Sequence, residues 1–255
     1  MATLIGTPER DIINGTEEDD LIRGLGGNDL LRGGGGADRL EGGEGNDVLD
    51  ALNGFEVAGP HELFGGAGDD PLIQGSVVGD LLDGGSGNDV LRGAGGDDRM
   101  FGRGGNDFLF AGNAFNEDGV EEGNSILNGG AGNDVMNAGS DTDTFTGGRG
   151  ADTFEFTNDF VNGVPVYDSG VGGGNRDRIT DFNGGQGDKI DFRFLTDNLT
   201  FVGEEFDPGV NEIGFIETGG NTILRANTAD GAAAVDFEIT LNGVNLGLDA
   251  GDFVF

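Results

Sequence analysis

The chain is 255 residues long, contains 55 glycines and carries a formal net charge of −35, from 48 acidic and 13 basic residues. A field of that sign repels nucleic-acid phosphates and anionic membrane surfaces and attracts cations, so we expect neither nucleic-acid binding nor membrane insertion. The absence of cysteine excludes disulfides and thiolate metal sites. Because glycine loses the most backbone freedom on folding, something beyond ordinary burial has to help this chain fold.

A nine-residue repeat fills residues 6–155, as in GGEGNDVLD at 42–50. Fourteen blocks keep this frame, and two interruptions, at 51–64 and 111–119, divide them into three runs. The sixth place is Asp in thirteen blocks, with Ser125 as the exception, and the eighth place is apolar in every block. A disordered glycine-rich linker has no such fixed phase, so the pattern indicates a repeat fold.

The composition of this unit predicts two facing sheets. Glycines at places one, two and four permit a tight six-residue turn with inward carbonyls, which leaves three residues for a strand with one inward side chain. So thin a core is continuous only if successive strands stack at about 4.8 Å. Two turns and two strands make an eighteen-residue coil. We therefore predict an all-β fold, a parallel β-roll, which is a two-sheet right-handed β-helix of nonapeptide repeats.

Stacking of the coils aligns the sixth-place aspartates of turns that lie eighteen residues apart. Two carboxylates about 5 Å apart repel by about 3 kcal/mol at an effective dielectric near 20, so the bare roll is expected to be unstable. Calcium takes about six to eight oxygen ligands, whereas zinc prefers His or Cys, so we predict roughly six to ten Ca²⁺ ions between the turns. The predicted ligands, each acting with backbone carbonyls of the same turn, are Asp11, Asp20, Asp29, Asp38, Asp47, Asp70, Asp80, Asp89, Asp98, Asp107, Asp134, Asp143 and Asp152.

The repeat GGxGxDxUx resembles that of RTX calcium-binding proteins, and the resemblance covers about half of the chain. Residues 156–255 resemble the C-terminal region that follows such repeats in serralysin-type secreted metalloproteases, through ADTFEF, DRITDF, GQGDKIDF and the final DFVF. The zinc motif HExxH of those proteases is absent, because the chain has a single histidine, His61. We therefore expect no enzymatic activity.

The region 156–255 is expected to form a C-terminal antiparallel β cap that closes one end of the roll. Its segment EIGFIETGGNTILRAN predicts a hairpin with Gly219 and Gly220 as the two-residue turn. Asp177 and Asp188 are additional candidate ligands. At the other end, the turns GTPERD and GTEEDD lack Gly at place four and are expected to bind calcium weakly or to act only as a cap.

The two interruptions are expected to bulge from the roll, either packing on its side or offering a contact surface to another protein or another copy. His61 lies in the first interruption and is expected to be a surface or loop residue rather than a ligand. Pro71 and the extra residue Gln74 indicate disturbed stacking, which makes calcium sites across this gap doubtful.

The family resemblance implies export. Such proteins leave Gram-negative cells unfolded through a type I ABC exporter, with an uncleaved C-terminal signal. The ending Asp252–Phe255 resembles the end of that signal and equally predicts a last β-strand. The first residues lack the basic region and apolar run of a cleavable signal peptide. We predict secretion to the exterior or cell surface of a Gram-negative bacterium, where millimolar calcium folds the chain.

Two functions remain at this point. The first is a non-enzymatic structural or extracellular-matrix component that self-associates or binds a surface polysaccharide, and Met1 directly before the first repeat favours it. The second is a secretion and folding module of an extracellular enzyme, a protease, lipase or polysaccharide-modifying enzyme, whose catalytic part is absent.

Overall fold

Successive strands enter two sheets alternately. The computed structural model describes residues 1–52, 59–75, 78–112, 123–137, 139, 141–161, 164–167, 176–195, 199–204, 209–228, 235 and 237–255. Because a nine-residue unit ends in one strand, consecutive units place their strands in opposite sheets and every second unit returns to the same sheet. Among the described residues, no helix has the length and apolarity needed to cross a bilayer.

The first sheet has thirteen strands. In spatial order they are β1 (Thr3–Ile5), β3 (Leu21–Gly26), β5 (Arg39–Glu44), β7 (Glu62–Ala67), β9 (Leu81–Ser86), β11 (Arg99–Gly104), β13 (Ile126–Ala131), β15 (Thr144–Arg149), β18 (Asp177–Ile179), β23 (Phe237–Asn242), β22 (Asn221–Asn227), β21 (Glu212–Thr218) and β20 (Thr200–Glu204). Neighbours from β1 to β23 are parallel, β22 is antiparallel to both β23 and β21, and β20 is parallel to β21.

The second sheet has eleven strands. Ten of them follow one another as β2 (Ile12–Asn14), β4 (Leu30–Arg32), β6 (Val48–Ala51), β8 (Pro71–Gln74), β10 (Val90–Arg92), β12 (Phe108–Phe110), β14 (Val135–Asn137), β16 (Thr153–Val161), β19 (Lys189–Phe194) and β24 (Phe253–Val254). The eleventh, β17 (Val164–Tyr167), pairs antiparallel with β16. A 3-10 turn, Ala250–Asp252, precedes β24.

The register of the parallel strands follows the repeat. Thr3 pairs with Leu21 in the first sheet and Leu30 with Val48 in the second, so partners are eighteen residues apart. One coil therefore contains two nonapeptides, as the period predicts. The predicted all-β fold, a two-sheet parallel β-roll with a C-terminal antiparallel β cap, is confirmed.

The eighth-place side chains form a single column between the sheets. All of the following are 1% exposed or less: Ile22, Leu31, Leu40, Leu49, Leu63, Leu72, Leu82, Leu91, Met100, Leu109, Leu127, Met136, Phe145 and Phe154. Aromatic rings take over toward the cap, where Phe156 lies edge to face against Phe237 with ring centroids 5.6 Å apart. The cores of the roll and the cap are therefore continuous.

The parallel roll extends one coil beyond its predicted limit at residue 155. Strand β16 runs across that limit, and β18 and β19 continue the two parallel sheets. The reason is that DRI and DKI keep the Asp-x-apolar spacing of a repeat, with Ile179 and Ile190 buried in the core column. The antiparallel part of the cap is the β21–β22–β23 meander, whose first turn contains Gly219 and Gly220 as predicted.

The first interruption is shorter than predicted. Strand β7 begins at Glu62, and Leu63 pairs with Leu40, so residues 62–64 belong to the roll and not to an insert at 51–64. The sequence EVAGPHELF (56–64) is a further nonapeptide, with Gly at place four and Leu at place eight. At place six it has His61 instead of Asp. Residues 53–58, and residues 113–119 of the second interruption, lie outside the described residues.

Stacking across the first interruption is regular, which contradicts the disturbance predicted from Pro71 and Gln74. Strand β8 pairs in parallel with β6 on one side and with β10 on the other. Pro71 is the first residue of its strand, where a missing N–H costs least, and Gln74 is the last residue of that strand.

Candidate calcium-binding edges

The sixth-place side chains lie along the two edges of the roll where the chain turns from one sheet into the other. All of the aspartates among them except Asp11 are 3% exposed or less. The Asp47 edge, which leads into the second sheet, contains Asp11, Asp29, Asp47, Asp70, Asp89, Asp107, Asp134, Asp152 and Asp188. The His61 edge, which leads into the first sheet, contains Asp20, Asp38, His61, Asp80, Asp98, Ser125, Asp143 and Asp177.

One oxygen of each of these carboxylates is held by the backbone of the preceding coil, except for Asp11 in the first coil. The N–H of Asp29 donates to Oδ1 of Asp47 over 2.7 Å, and the N–H of Asp47 donates to Oδ1 of Asp70, also over 2.7 Å, across the first interruption. Along the Asp47 edge the series continues to Asp188. This ladder of hydrogen bonds was not predicted, although a sixth place that accepts Asp and never Glu was a signal for a side chain of fixed reach.

The second oxygen is the feature that points to a cation. Within the described part of the chain, Oδ2 is buried without a hydrogen-bond partner in Asp29, Asp38, Asp47, Asp70, Asp89, Asp107, Asp134 and Asp152. A buried ionised oxygen that has lost its water and gained no partner is costly. Each of these carboxylates therefore needs either a cation or a proton.

Burial raises the pKa of seven of these carboxyl groups, those of Asp38, Asp47, Asp70, Asp89, Asp107, Asp134 and Asp152. The pKa of Asp47, Asp89 and Asp134 rises to about 7, chiefly because burial penalises the charged form, with repulsion from neighbouring aspartates a smaller cause. The instability of the bare roll was predicted from repulsion along the row. Loss of hydration is the larger effect.

A glycine at place one keeps the space beside the second oxygen open. A Cβ added to Gly65 would lie 2.5 Å from Oδ2 of Asp70 and 2.5 Å from the carbonyl oxygen of Gly84 in the next coil. A carboxylate oxygen and a backbone carbonyl oxygen thus face the same small space. Place one needs glycine for room, whereas Gly66 at place two has a φ of 112° and needs glycine for its backbone conformation.

The donors available in these spaces are oxygens. Among the described residues, no three His, Asp or Glu side chains gather as a closed metal site, so the remaining ligands have to be backbone carbonyls. Calcium accepts carboxylate and carbonyl oxygens in flexible geometry, whereas zinc favours nitrogen and sulfur. The edges fit Ca²⁺, and the thirteen predicted ligands stay a prediction that this geometry supports for the eight with an unpartnered oxygen.

The first two turns satisfy their carboxylates without a metal. Thr7 donates its N–H and its hydroxyl to Oδ2 of Asp11, over 2.6 and 2.9 Å. Thr16 does the same for Asp20, over 2.7 and 2.8 Å. This arrangement supports the prediction that these turns act as a cap, and the signal for it was Thr at place two.

The candidate ligands near the cap also belong to the ladder. Oδ1 of Asp177 accepts the N–H of Asp143, and Oδ1 of Asp143 accepts the N–H of Ser125. Oδ2 of Asp188 accepts the N–H of Asn183 over 2.9 Å, so both of its oxygens are engaged by the protein.

His61 is fully buried, so the prediction that it is a surface or loop residue was wrong. The ring nitrogen Nδ1 accepts the backbone N–H of Asp38 over 3.1 Å, and the backbone N–H of His61 donates to Oδ1 of Asp80. Burial lowers the pKa of His61, which keeps the ring neutral. The side chain therefore takes the place of an aspartate in the ladder, with one acceptor atom instead of two.

A second ladder of hydrogen bonds runs outside the first, at place five. On the Asp47 edge the N–H of Asn46 donates to the side-chain oxygen of Asn28 over 3.1 Å, and the N–H of Asn106 donates to that of Asn88 over 2.8 Å. These bonds point from later to earlier coils, opposite to the aspartate ladder. The frequent Asn before the sixth-place Asp was the missed signal.

The comparison with known families identifies the repeat. The RTX calcium-binding nonapeptide repeat matches in four copies, over residues 5–40, 23–55, 75–113 and 121–154. These copies cover most of the turns described above, and repeats of this kind bind Ca²⁺. No curated protein is significantly similar in sequence to the chain.

Several solved structures resemble the chain. The R3 subunit of the mannuronan C5-epimerase AlgE6 from Azotobacter vinelandii is 28% identical over 67% of this chain and 79% of its own, with a TM-score of 0.29. The R2 subunit of that enzyme is 24% identical over 70% and 91%, with a TM-score of 0.32. An extracellular lipase from Serratia marcescens is 19% identical over 99% and 40%, with a TM-score of 0.25. At these TM-scores the likeness carries no information on function.

We predict that Gly65→Ala weakens calcium binding, because the added methyl group occupies the space between the carboxylate of Asp70 and the next coil. Gly26→Ala is the matched control, since its Cβ would meet no atom closer than 3.8 Å. Isothermal titration with calcium measures both variants. Equal affinity for Gly65→Ala and the wild type would contradict the assignment of this space to an ion.

The pKa shifts predict opposite pH dependence with and without calcium. Between the ordinary aspartate pKa and a folded value of about 7, the folded roll binds more protons than the unfolded chain. Lowering the pH from 8 to 5 therefore stabilises the calcium-free roll. In excess calcium the same change destabilises the roll, because the ion requires ionised carboxylates. Circular dichroism in calcium-free buffer tests the predicted stabilisation at low pH. A stronger β signal at pH 8 than at pH 5 would refute it.

Proposed function

The chain is an RTX-repeat protein, with four copies of the calcium-binding nonapeptide repeat, and on that premise we propose that it is a secreted protein that folds when calcium enters the turns of its β-roll. The run of buried carboxylate oxygens without a hydrogen-bond partner, within the described residues, carries this proposal. Where calcium is scarce, these oxygens oppose folding. Where calcium is plentiful, the ions supply the missing partners, and binding free energy becomes folding free energy.

The packing of the C-terminus supports folding after export. Strand β24 pairs with β19, and Phe253 is 6% exposed, with its ring centroid 4.7 Å from that of Phe201. An export signal at Asp252–Phe255 would be partly hidden in the folded protein, so the exporter has to read it beforehand. A calcium-poor cytosol and a calcium-rich exterior impose that order. The predicted type I ABC exporter and the Gram-negative source belong to this proposal.

The open end of the roll in the described chain supports a structural role through self-association. Strands β1 and β2 are the terminal strands of the two sheets, so each has one edge without a neighbouring strand in the described chain. Ile5 and Ile12 on these strands are each 60% exposed. Unpaired strand edges with apolar side chains are templates for pairing with another chain. A second copy stacking on this end would continue both sheets.

Calcium-dependent folding is the direct test of the proposal. We expect a gain of β signal in circular dichroism between micromolar and roughly ten-millimolar calcium, the range of extracellular calcium modules. Asp89→Asn should raise the calcium midpoint several-fold, because it removes a charged ligand from the edge. Asp83→Asn is the control, since that carboxylate is paired with Arg103 on the outside of the roll. A wild-type chain whose β signal ignores calcium would defeat the proposal.

Self-association is tested by light scattering in calcium. We expect the wild type to assemble and the double variant Ile5→Lys, Ile12→Lys to remain monomeric, because charges at an open edge oppose strand pairing. Ile126→Lys is the control, since Ile126 is 41% exposed but lies on β13, which has neighbours on both sides. A monomeric wild type would contradict the structural role and favour the alternative, a secretion and folding module of an extracellular enzyme.

A further inference from the structure

The two edges of the roll differ in how the protein treats the second carboxylate oxygen. Along the Asp47 edge, the seven consecutive residues from Asp29 to Asp152 all bury an Oδ2 atom without a hydrogen-bond partner in the described chain. Every space between two of these coils is therefore flanked by two carboxylates. Among the described residues, no group donates a hydrogen bond to the Oδ2 atoms of this run in place of an ion.

The His61 edge is interrupted by an imidazole. The Nδ1 atom of His61 is engaged by the N–H of Asp38, and the neutral ring brings no negative charge to either adjacent space. Asp38 does bury an unpartnered oxygen. Its neighbours in the row, however, are His61 and Asp20, and the Oδ2 atom of Asp20 is already engaged by Thr16. An ion beside Asp38 would have one available carboxylate instead of two.

The same edge is interrupted again at Ser125. Its hydroxyl accepts the N–H of Asp98 over 3.2 Å and lies 3.5 Å from the carbonyl oxygen of Gly96, to which it donates. The hydroxyl thus satisfies the ladder and uses a carbonyl of the turn. Oδ2 of Asp98 faces the side-chain amide of Gln74 at 3.4 Å, which places a protein donor where an ion would otherwise be required.

We propose that calcium forms a continuous row along the Asp47 edge, and that the row along the His61 edge is broken at His61 and Ser125, where protein hydrogen bonds hold the turns without calcium. This inference rests on the proposed calcium binding. Calcium affinity depends on the number of charged ligands at a site. The Asp47 edge offers two carboxylates at every space of its central run, whereas the spaces beside His61 and Ser125 offer one.

The edge assignment has a structural consequence. The steps beside His61 and Ser125 are held by protein hydrogen bonds, whereas every step of the central Asp47 run is held by ions. Removal of calcium should then open the Asp47 edge first, while hydrogen bonds such as that from Asp38 to His61 persist.

Native mass spectrometry of the full chain in calcium measures the ion count for four variants. Asp89→Asn on the Asp47 edge should lower the count by about one or two ions, because two spaces share that carboxylate. Asp80→Asn, the matched variant on the His61 edge, should leave it unchanged. His61→Asp and Ser125→Asp should each raise it by about one ion, because a second carboxylate then flanks the space.

The outcomes separate this inference from the proposed function. A wild-type chain that binds no calcium refutes the proposed function itself. A wild type that binds calcium, with equal losses in Asp80→Asn and Asp89→Asn, overturns only the edge assignment. The Asp80→Asn and Asp89→Asn variants keep the Oδ1 atom that accepts the ladder hydrogen bond. They therefore test the inference even if His61→Asp or Ser125→Asp fails to fold. An unchanged count in folded His61→Asp and Ser125→Asp also overturns the inference.

Discussion

The structure depends on the buried sixth-place carboxylates, whose two oxygens differ in their bonding partners. Oδ1 accepts a backbone N–H from the preceding coil, as in the 2.7 Å bond from Asp29 to Asp47, and this bond sets the stacking of turn on turn. Oδ2 remains buried beside a glycine and opposite a carbonyl oxygen, and along the Asp47 edge it needs a cation or a proton. The stacking of the coils and the binding of cations therefore depend on the same aspartate side chains.

That coupling explains why the roll tolerates interruptions. The ladder passes from Asp47 to Asp70 across the first interruption and from Asp107 to Asp134 across the second, with bonds of 2.7 and 2.8 Å. Each coil needs only its turn, its inward side chain and its contact to the coil before it. Extra residues between coils leave these three requirements intact, which is typical of repeat folds in which each unit contacts only its neighbours.

The period and the composition of the repeat were enough to predict the two sheets, the eighteen-residue register and the core column, because these follow from spacing alone. The role of His61 was missed because its block keeps only the glycine at place four, Gly59, and the apolar residue at place eight, Leu63. The coil formed by β18 and β19 was missed because neither of its turns has Gly at place four, where Asn175 and Gln186 stand. The protein donors at Gln74 and Ser125 depend on contacts between residues 24 and 29 positions apart in the chain, which no local pattern contains.

The most direct test of the central claim is a crystal structure grown in calcium, with anomalous scattering recorded at long wavelength. The account predicts anomalous peaks in a row along the Asp47 edge, each within about 2.3–2.6 Å of a carboxylate Oδ2 and of backbone carbonyl oxygens. Sixth-place aspartates turned toward solvent, with no anomalous density beside them, would contradict it.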